Sequence, residues 1–132
     1  MRYWQGMTYV GNFNLKEKTI MGAILKFKPS ESADVVGYKL YMKPHEESIP
    51  LTKDNAGINL DLGKPVPDTD GYIKIQLETI PEISVLDGFY DLGVASVDEV
   101  GNASPLLTQG LVNIDLDFVA PVPPTDGSVY YV

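Results

Sequence analysis

Few residues in this chain could do chemistry. Its single histidine, His45, stands between Pro44 and the pair Glu46-Glu47. A histidine can serve as general base to a hydroxyl nucleophile, and a Ser-His-Asp arrangement would draw on His45. No serine, however, stands in the pattern of a nucleophile elbow. A proline before it and two glutamates after it predict a solvated loop histidine. The absence of cysteine removes thiolate catalysis, disulfides and Cys-based metal sites together. One His with no Cys does not make a zinc site.

Carboxylates are the other candidates. Asp68-Thr69-Asp70-Gly71 superficially resembles a calcium loop. In the EF-hand register, position one would be Val66 and position twelve Leu77, and neither is a ligand. Asp54, Asn55, Asn59 and Asp61 form a second acidic-amide cluster. Both groups read as turns, since Asp and Asn side chains satisfy nearby backbone amides; calcium is the alternative reading. There is no Gly-rich phosphate loop and no Arg-Gly-Asp tripeptide. The expectation is no catalytic, cofactor or metal site, and no enzyme.

The net charge is −8 with a pI near 4.4. Nucleic-acid binding rests on Lys and Arg neutralising phosphates, and anionic membranes attract the same residues, so this balance argues against both. Residues 1–14 hold no apolar core of the kind a secretory leader needs, and no apolar run approaches the length that spans a bilayer. The compartment stays open. The remaining partners are protein, including a second copy of the chain, and glycan.

Aromatic residues carry that expectation. Tyr3-Trp4 lies near one end and Val129-Tyr130-Tyr131-Val132 at the other. Large rigid side chains are enriched at protein interfaces, so Tyr3, Trp4, Val129, Tyr130, Tyr131 and Val132 are the interface candidates. Exposed aromatic platforms also bind sugars, and the same Tyr3-Trp4 and Tyr130-Tyr131 pairs are the candidates for that.

The elements that position these residues are strands. Residues 86–104 organise the chain: Tyr90, Leu92, Val94 and Ser96 alternate with Asp91, Gly93 and Ala95, the period of a half-buried strand. Asp98–Asn102 reads as a tight turn, and Leu106-Leu107 opens the returning strand of a hairpin. Tyr90, four residues after Leu86, can turn its hydroxyl onto the preceding loop, the tyrosine corner of β-sandwiches. Further strands are expected at 1–14, at Thr19–Lys28 (Met21, Ala23, Leu25 and Phe27 on one face) and at Val36–Lys43 (Tyr38 and Leu40 inward). Residues 44–71 are rich in proline, with short strands at Ser48–Thr52 and around Ile58, Leu60 and Leu62. Tyr72–Thr79 turns Ile73, Ile75 and Leu77 inward. A crossing connection, Ile80–Leu86, follows it. Leu111–Phe118 turns Val112, Ile114, Leu116 and Phe118 inward. About seven short strands without an amphipathic helix predict an all-β antiparallel sandwich. The expected organisation is an aromatic arm at 1–14, the sandwich at 15–118 and a Pro-rich tail at 119–132.

The stretch YDLGVASVDEVGNAS resembles the F strand, F–G turn and G-strand start of a fibronectin type III domain in its bacterial form. AILKFKPSESADVVGYKLYMKP resembles that family's B strand, B–C loop and C strand, and DFVAPVPPTDG its inter-domain linker. The resemblance covers about residues 19–124. It implies an immunoglobulin-like antiparallel sandwich and leaves activity open, because that fold carries unrelated roles. Phe27 stands where the family commonly has a core Trp, and residues 1–14 lack the family's Pro-rich start of strand A. For the tail, three arrangements follow: it leads into a next domain of a longer array, folds back on its own domain, or adds as a strand to a neighbouring subunit. The functional expectation is a non-enzymatic structural or protein-interaction module that self-assembles through its terminal strands, as a virion accessory, filament or surface subunit. The alternative is a carbohydrate-binding or spacer domain of a larger secreted surface protein or glycan-degrading enzyme.

Overall fold

The computed structural model of the chain describes residues 22–119 and 121–132. The described residues form β1 (Ile24–Phe27), β2 (Val35–Pro44), β3 (Ile58–Gly63), β4 (Ile73–Gln76), a one-turn α1 (Pro81–Ser84), β5 (Asp87–Asp98) and β6 (Ile114–Asp117). Pairing is antiparallel throughout, in a two-stranded sheet β1-β4 and a four-stranded sheet β3-β2-β5-β6. The described residues are mostly β-strand in two antiparallel sheets with almost no helix, consistent with the all-β fold that the alternating patterns predict. Residues 1–14 and Thr19–Met21, with the candidates Tyr3 and Trp4, lie outside the described residues.

One apolar core joins the two sheets. Leu25 and Phe27 of β1 and Ile73 of β4 face Tyr38, Leu40 and Met42 of β2, Leu92 and Val94 of β5 and Leu116 of β6. The rings of Phe27 and Tyr38 meet edge to face with centroids 5.1 Å apart, a favoured aromatic geometry. The Tyr38 hydroxyl accepts the Ser30 amide at 3.0 Å, which satisfies its polar end. After β4 the chain leaves strand geometry for a 3₁₀ turn, Leu77–Thr79, so the predicted strand over Tyr72–Thr79 is shorter than its pattern. Leu77 still reaches the core. Pro81 then starts α1, at the position where its missing N–H costs nothing, and Ile83 is fully buried.

Several expectations are corrected. Ser48–Thr52 is loop, not strand; Pro50 offers no ladder donor, and its carbonyl accepts the Asn55 side-chain amide at 2.9 Å. Leu107 meets Val94 only through an isolated bridge, so the returning strand starts at Ile114. Val112 points outward, because Asn113 takes a positive φ of 61° and shifts the alternation; Leu111 packs on the core in its place. Among the described residues the Tyr90 hydroxyl has no hydrogen bond to the preceding loop; Tyr90 packs half-buried against the core.

The largest correction concerns β5. Its second face, Asp91, Gly93 and Ala95, is buried like its first. Leu51 and Leu106 lie across Gly93, where an added Cβ would stand 3.0 Å from Leu51 Cδ2 and 3.1 Å from Leu106 Cδ1. Loops from two parts of the chain therefore cover the outer face of the sheet.

Candidate functional site

Under that cover lies the one buried charged cluster among the described residues. Lys43 on β2 and Asp91 on β5 are directly opposed across the strand pair, and they are 3% and 2% exposed. Lys43 Nζ donates to the Pro44 carbonyl at 2.8 Å and lies 3.4 Å from Glu46 Oε1 and 3.9 Å from Asp91 Oδ2. The next residue after β2, His45, donates its amide to the Phe89 carbonyl at 2.9 Å. That bond sets its imidazole beside Asp91, with Nδ1 2.8 Å from Oδ1. The amide of Asn113 donates to the same oxygen at 2.9 Å.

Burial alone would raise the Asp91 pKa. The Asn113 amide, the His45 hydrogen bond and the positive charge nearby outweigh it and hold the carboxyl below its ordinary value. Asp91 is therefore a carboxylate and an acceptor, so His45 Nδ1 is the donor of the bond they share. The expectation of a solvated loop histidine is corrected: His45 is held at a sheet surface by a buried aspartate. Gly93 and Ala95 were the signal in the sequence. Small residues alternating with Asp91 on the supposed solvent face mark a face that another segment approaches closely.

His45 and Asp91 share a cleft of about 360 Å³ with Glu46, Glu47, Leu51 and Thr108. A general base needs the group it deprotonates within about 3 Å. The nearest charged neighbour of Nε2 is Glu47 Oε2 at 3.8 Å, an exposed carboxylate, and no described serine or threonine hydroxyl is hydrogen-bonded to the ring. Among the described residues the pair has no hydroxyl partner. It ties the end of β2, the middle of β5 and the start of β6 together.

The acidic loops are occupied by the chain itself. Lys74 Nζ lies 3.3 Å from Asp68 Oδ2 and 2.8 Å from Asp70 Oδ2, and Asp70 also accepts the Tyr72 amide at 3.0 Å. The Lys74 ammonium, with that amide, lowers the Asp70 pKa. Asn55 closes its loop by exchanging side-chain bonds with Thr52. Among the described residues no three His, Asp or Glu side chains are grouped to hold a metal.

The aromatic tail is separate from all of this. Val129, Tyr130, Tyr131 and Val132 are 78%, 83%, 91% and 119% exposed and belong to no strand. All of residues 121–132 are exposed. On the body, a groove of about 550 Å³ is lined by Leu60 and Leu62 of β3, Ile75 of β4 and Ile80 after it, with Asp61, Lys74 and Glu82 among its polar residues. Comparison with protein-family models, curated proteins and solved structures finds no match.

Proposed function

We propose that this chain is a non-enzymatic interaction module of the fibronectin type III kind that self-associates through its C-terminal segment, as a subunit of a larger assembly. The order of the strands supports the fold. In immunoglobulin-like sandwiches strands B and E share one sheet while C, F and G share the other, with C′ added beside C. Here β1 pairs β4, and β3-β2-β5-β6 form the second sheet, which supports reading β1 and β4 as B and E and the other four as C′, C, F and G.

The observation that carries the function is the exposure of Val129–Val132. Four residues of high β-propensity stand in water at the end of a spacer stiffened by Pro121, Pro123 and Pro124. Monomers rarely leave such a segment bare unless it meets a partner. The test is the solution mass by light scattering of the full chain and of a chain ending at Phe118. A full chain of at least twice the monomer mass, and a truncated one that is folded and monomeric, is the expected result; equal masses overturn the reading.

A second reading draws on the same two exposed tyrosines, Tyr130 and Tyr131: a platform for glycan stacking, as in a carbohydrate-binding or spacer domain. Titration against a glycan panel separates the two. Saturable sugar binding that is lost on Tyr130→Ala and Tyr131→Ala, by a monomeric chain, would favour it.

A further inference from the structure

The groove between β3 and β4 is lined in part by Leu60, Leu62, Ile75 and Ile80, which the fold leaves half-buried, and in part by polar residues including Asp61 and Lys74, and we propose that it receives Ser128–Val132 of a second copy, added as a strand along β3. The proposal rests on the self-association reading and names its acceptor. β3 is the end strand of its sheet, paired only with β2 among the described residues. Its outer edge therefore offers backbone donors and acceptors, a ready template for another strand. The strand alternates strictly: Ile58, Leu60 and Leu62 are half-buried while Asn59, Asp61 and Gly63 are exposed. Leu60 and Leu62 of β3, Ile75 of β4 and Ile80 after it share the lining of this groove, so both sheets contribute apolar side chains to it.

The occupant follows from fit. Ser128–Val132 spans about 16 Å as a strand, against about 20 Å for the six residues of β3. In strand geometry Val129 and Tyr131 share one face and Tyr130 and Val132 the other, so either orientation sends one tyrosine and one valine into the groove. The segment has no charged side chain. Its side chains add no charge beside Asp61, Lys74 and Glu82, which border the groove. The tail follows β6, at the opposite edge of the sheet from β3, and its last four residues are exposed. A second copy supplies the strand that its own body leaves exposed.

The absence of cysteine makes the test specific. A Tyr131→Cys chain is mixed with a Leu60→Cys chain, oxidised, and run on a non-reducing gel; a third chain, Val100→Cys, carries its thiol on an exposed turn away from the groove. The expected result is a disulfide-linked mixed dimer with Leu60→Cys at least tenfold more abundant than with Val100→Cys. Thr79→Cys, on an exposed part of the groove lining, gives the same readout should Leu60→Cys fold poorly. Equal linking to groove and turn, from a chain that light scattering reads as a dimer, overturns the groove and leaves self-association standing. A monomer that links to neither overturns both. A chain carrying Leu60→Cys and Tyr131→Cys together that links only within itself overturns the second copy.

Discussion

His45 Nδ1 lies 2.8 Å from Asp91 Oδ1, joining residues 46 positions apart. The bond crosses from the end of β2 to the second face of β5, under loops that hide Asp91 from water. Buried charges are tolerated only when paired and hydrogen-bonded. Here Lys43 supplies the opposite charge, and His45 and Asn113 fill the lone pairs of one oxygen.

Removing one partner leaves the other stranded. Asp91→Ala leaves the buried Lys43 ammonium with only the exposed Glu46 carboxylate, 3.4 Å away, as counter-charge, and takes the acceptor from His45 Nδ1 and the Asn113 amide; breaking a buried pair costs about 3–5 kcal/mol, and the remaining Glu46 contact puts this one at the lower end. Asp91→Asn keeps the shape and an acceptor, and its cost is smaller. Urea denaturation of the two variants should rank them in that order. The double variant Lys43→Met with Asp91→Leu should recover part of the loss of Asp91→Ala; additive losses would mean that the charges do not act as a pair.

Asp91 also predicts the response to acid. Its folded pKa is lowered, so as pH falls the unfolded chain takes up the proton first. The stabilisation is complete above the ordinary carboxylate value, about 3.9, and is lost as pH falls from there through the lower folded value. Asp98 adds in the same direction: its carboxylate accepts the Asn102 side-chain amide at 3.0 Å and the Asn102 and Val100 backbone amides. Acid unfolding followed by circular dichroism should show a shallower loss below pH 4 in Asp91→Asn than in the parent chain. An identical slope would remove Asp91 from the account.

Gly93 is placed for space, not for turning. A Cβ there meets the ends of Leu51 and Leu106, which can shift by a few tenths of an ångström, and stands 3.3 Å from Leu106 Cβ, which moves only with its backbone. Gly93→Ala should therefore cost about 1 kcal/mol, and Gly93→Val toward 3 kcal/mol, the range of overpacked cores. Combining Gly93→Ala with Leu51→Ala should cost less than the sum of the two, read from thermal denaturation. Strict additivity would show that the Leu51 side chain does not cover the sheet.

The strands and the turns were legible because each is written locally. Leu25 and Phe27, Tyr38 and Leu40, and Leu60 and Leu62 alternate with polar neighbours and fall where that period places them. Asp98 and Gly101 carry their own turn, closed by the Gly101 amide on the Asp98 carbonyl at 3.1 Å. The charged cluster was not legible. His45 and Asp91 each look solvent-facing in their own neighbourhood, and only the folding of residues 45–55 and 103–113 over β5 makes them interior. Long-range cover of this kind leaves no periodic trace, apart from the run of small residues Gly93 and Ala95.

Asn113 is the point where local pattern and tertiary structure disagree. Strict alternation through Leu111–Phe118 would bury Val112 and expose Leu111. The structure does the reverse, through the left-handed backbone of Asn113 at φ 61°. Asn adopts this conformation more readily than most residues, while a residue with an ordinary Cβ meets a penalty of about 1–2 kcal/mol. The bond that holds it comes from the backbone: the Asn113 amide donates to Asp91, so the side chain is replaceable. Asn113→Gly should keep the parent stability within about 0.5 kcal/mol, because glycine takes positive φ freely and retains the amide. Asn113→Val should lose about 2 kcal/mol, since a β-branched residue suffers most there. In the Asp91→Ala background the backbone of residue 113 has lost its acceptor, and the difference between Asn113→Gly and Asn113→Val should shrink as the segment finds an unstrained path. If the difference is unchanged, the kink is held by Leu111 and Ile114 packing on the core and not by the aspartate.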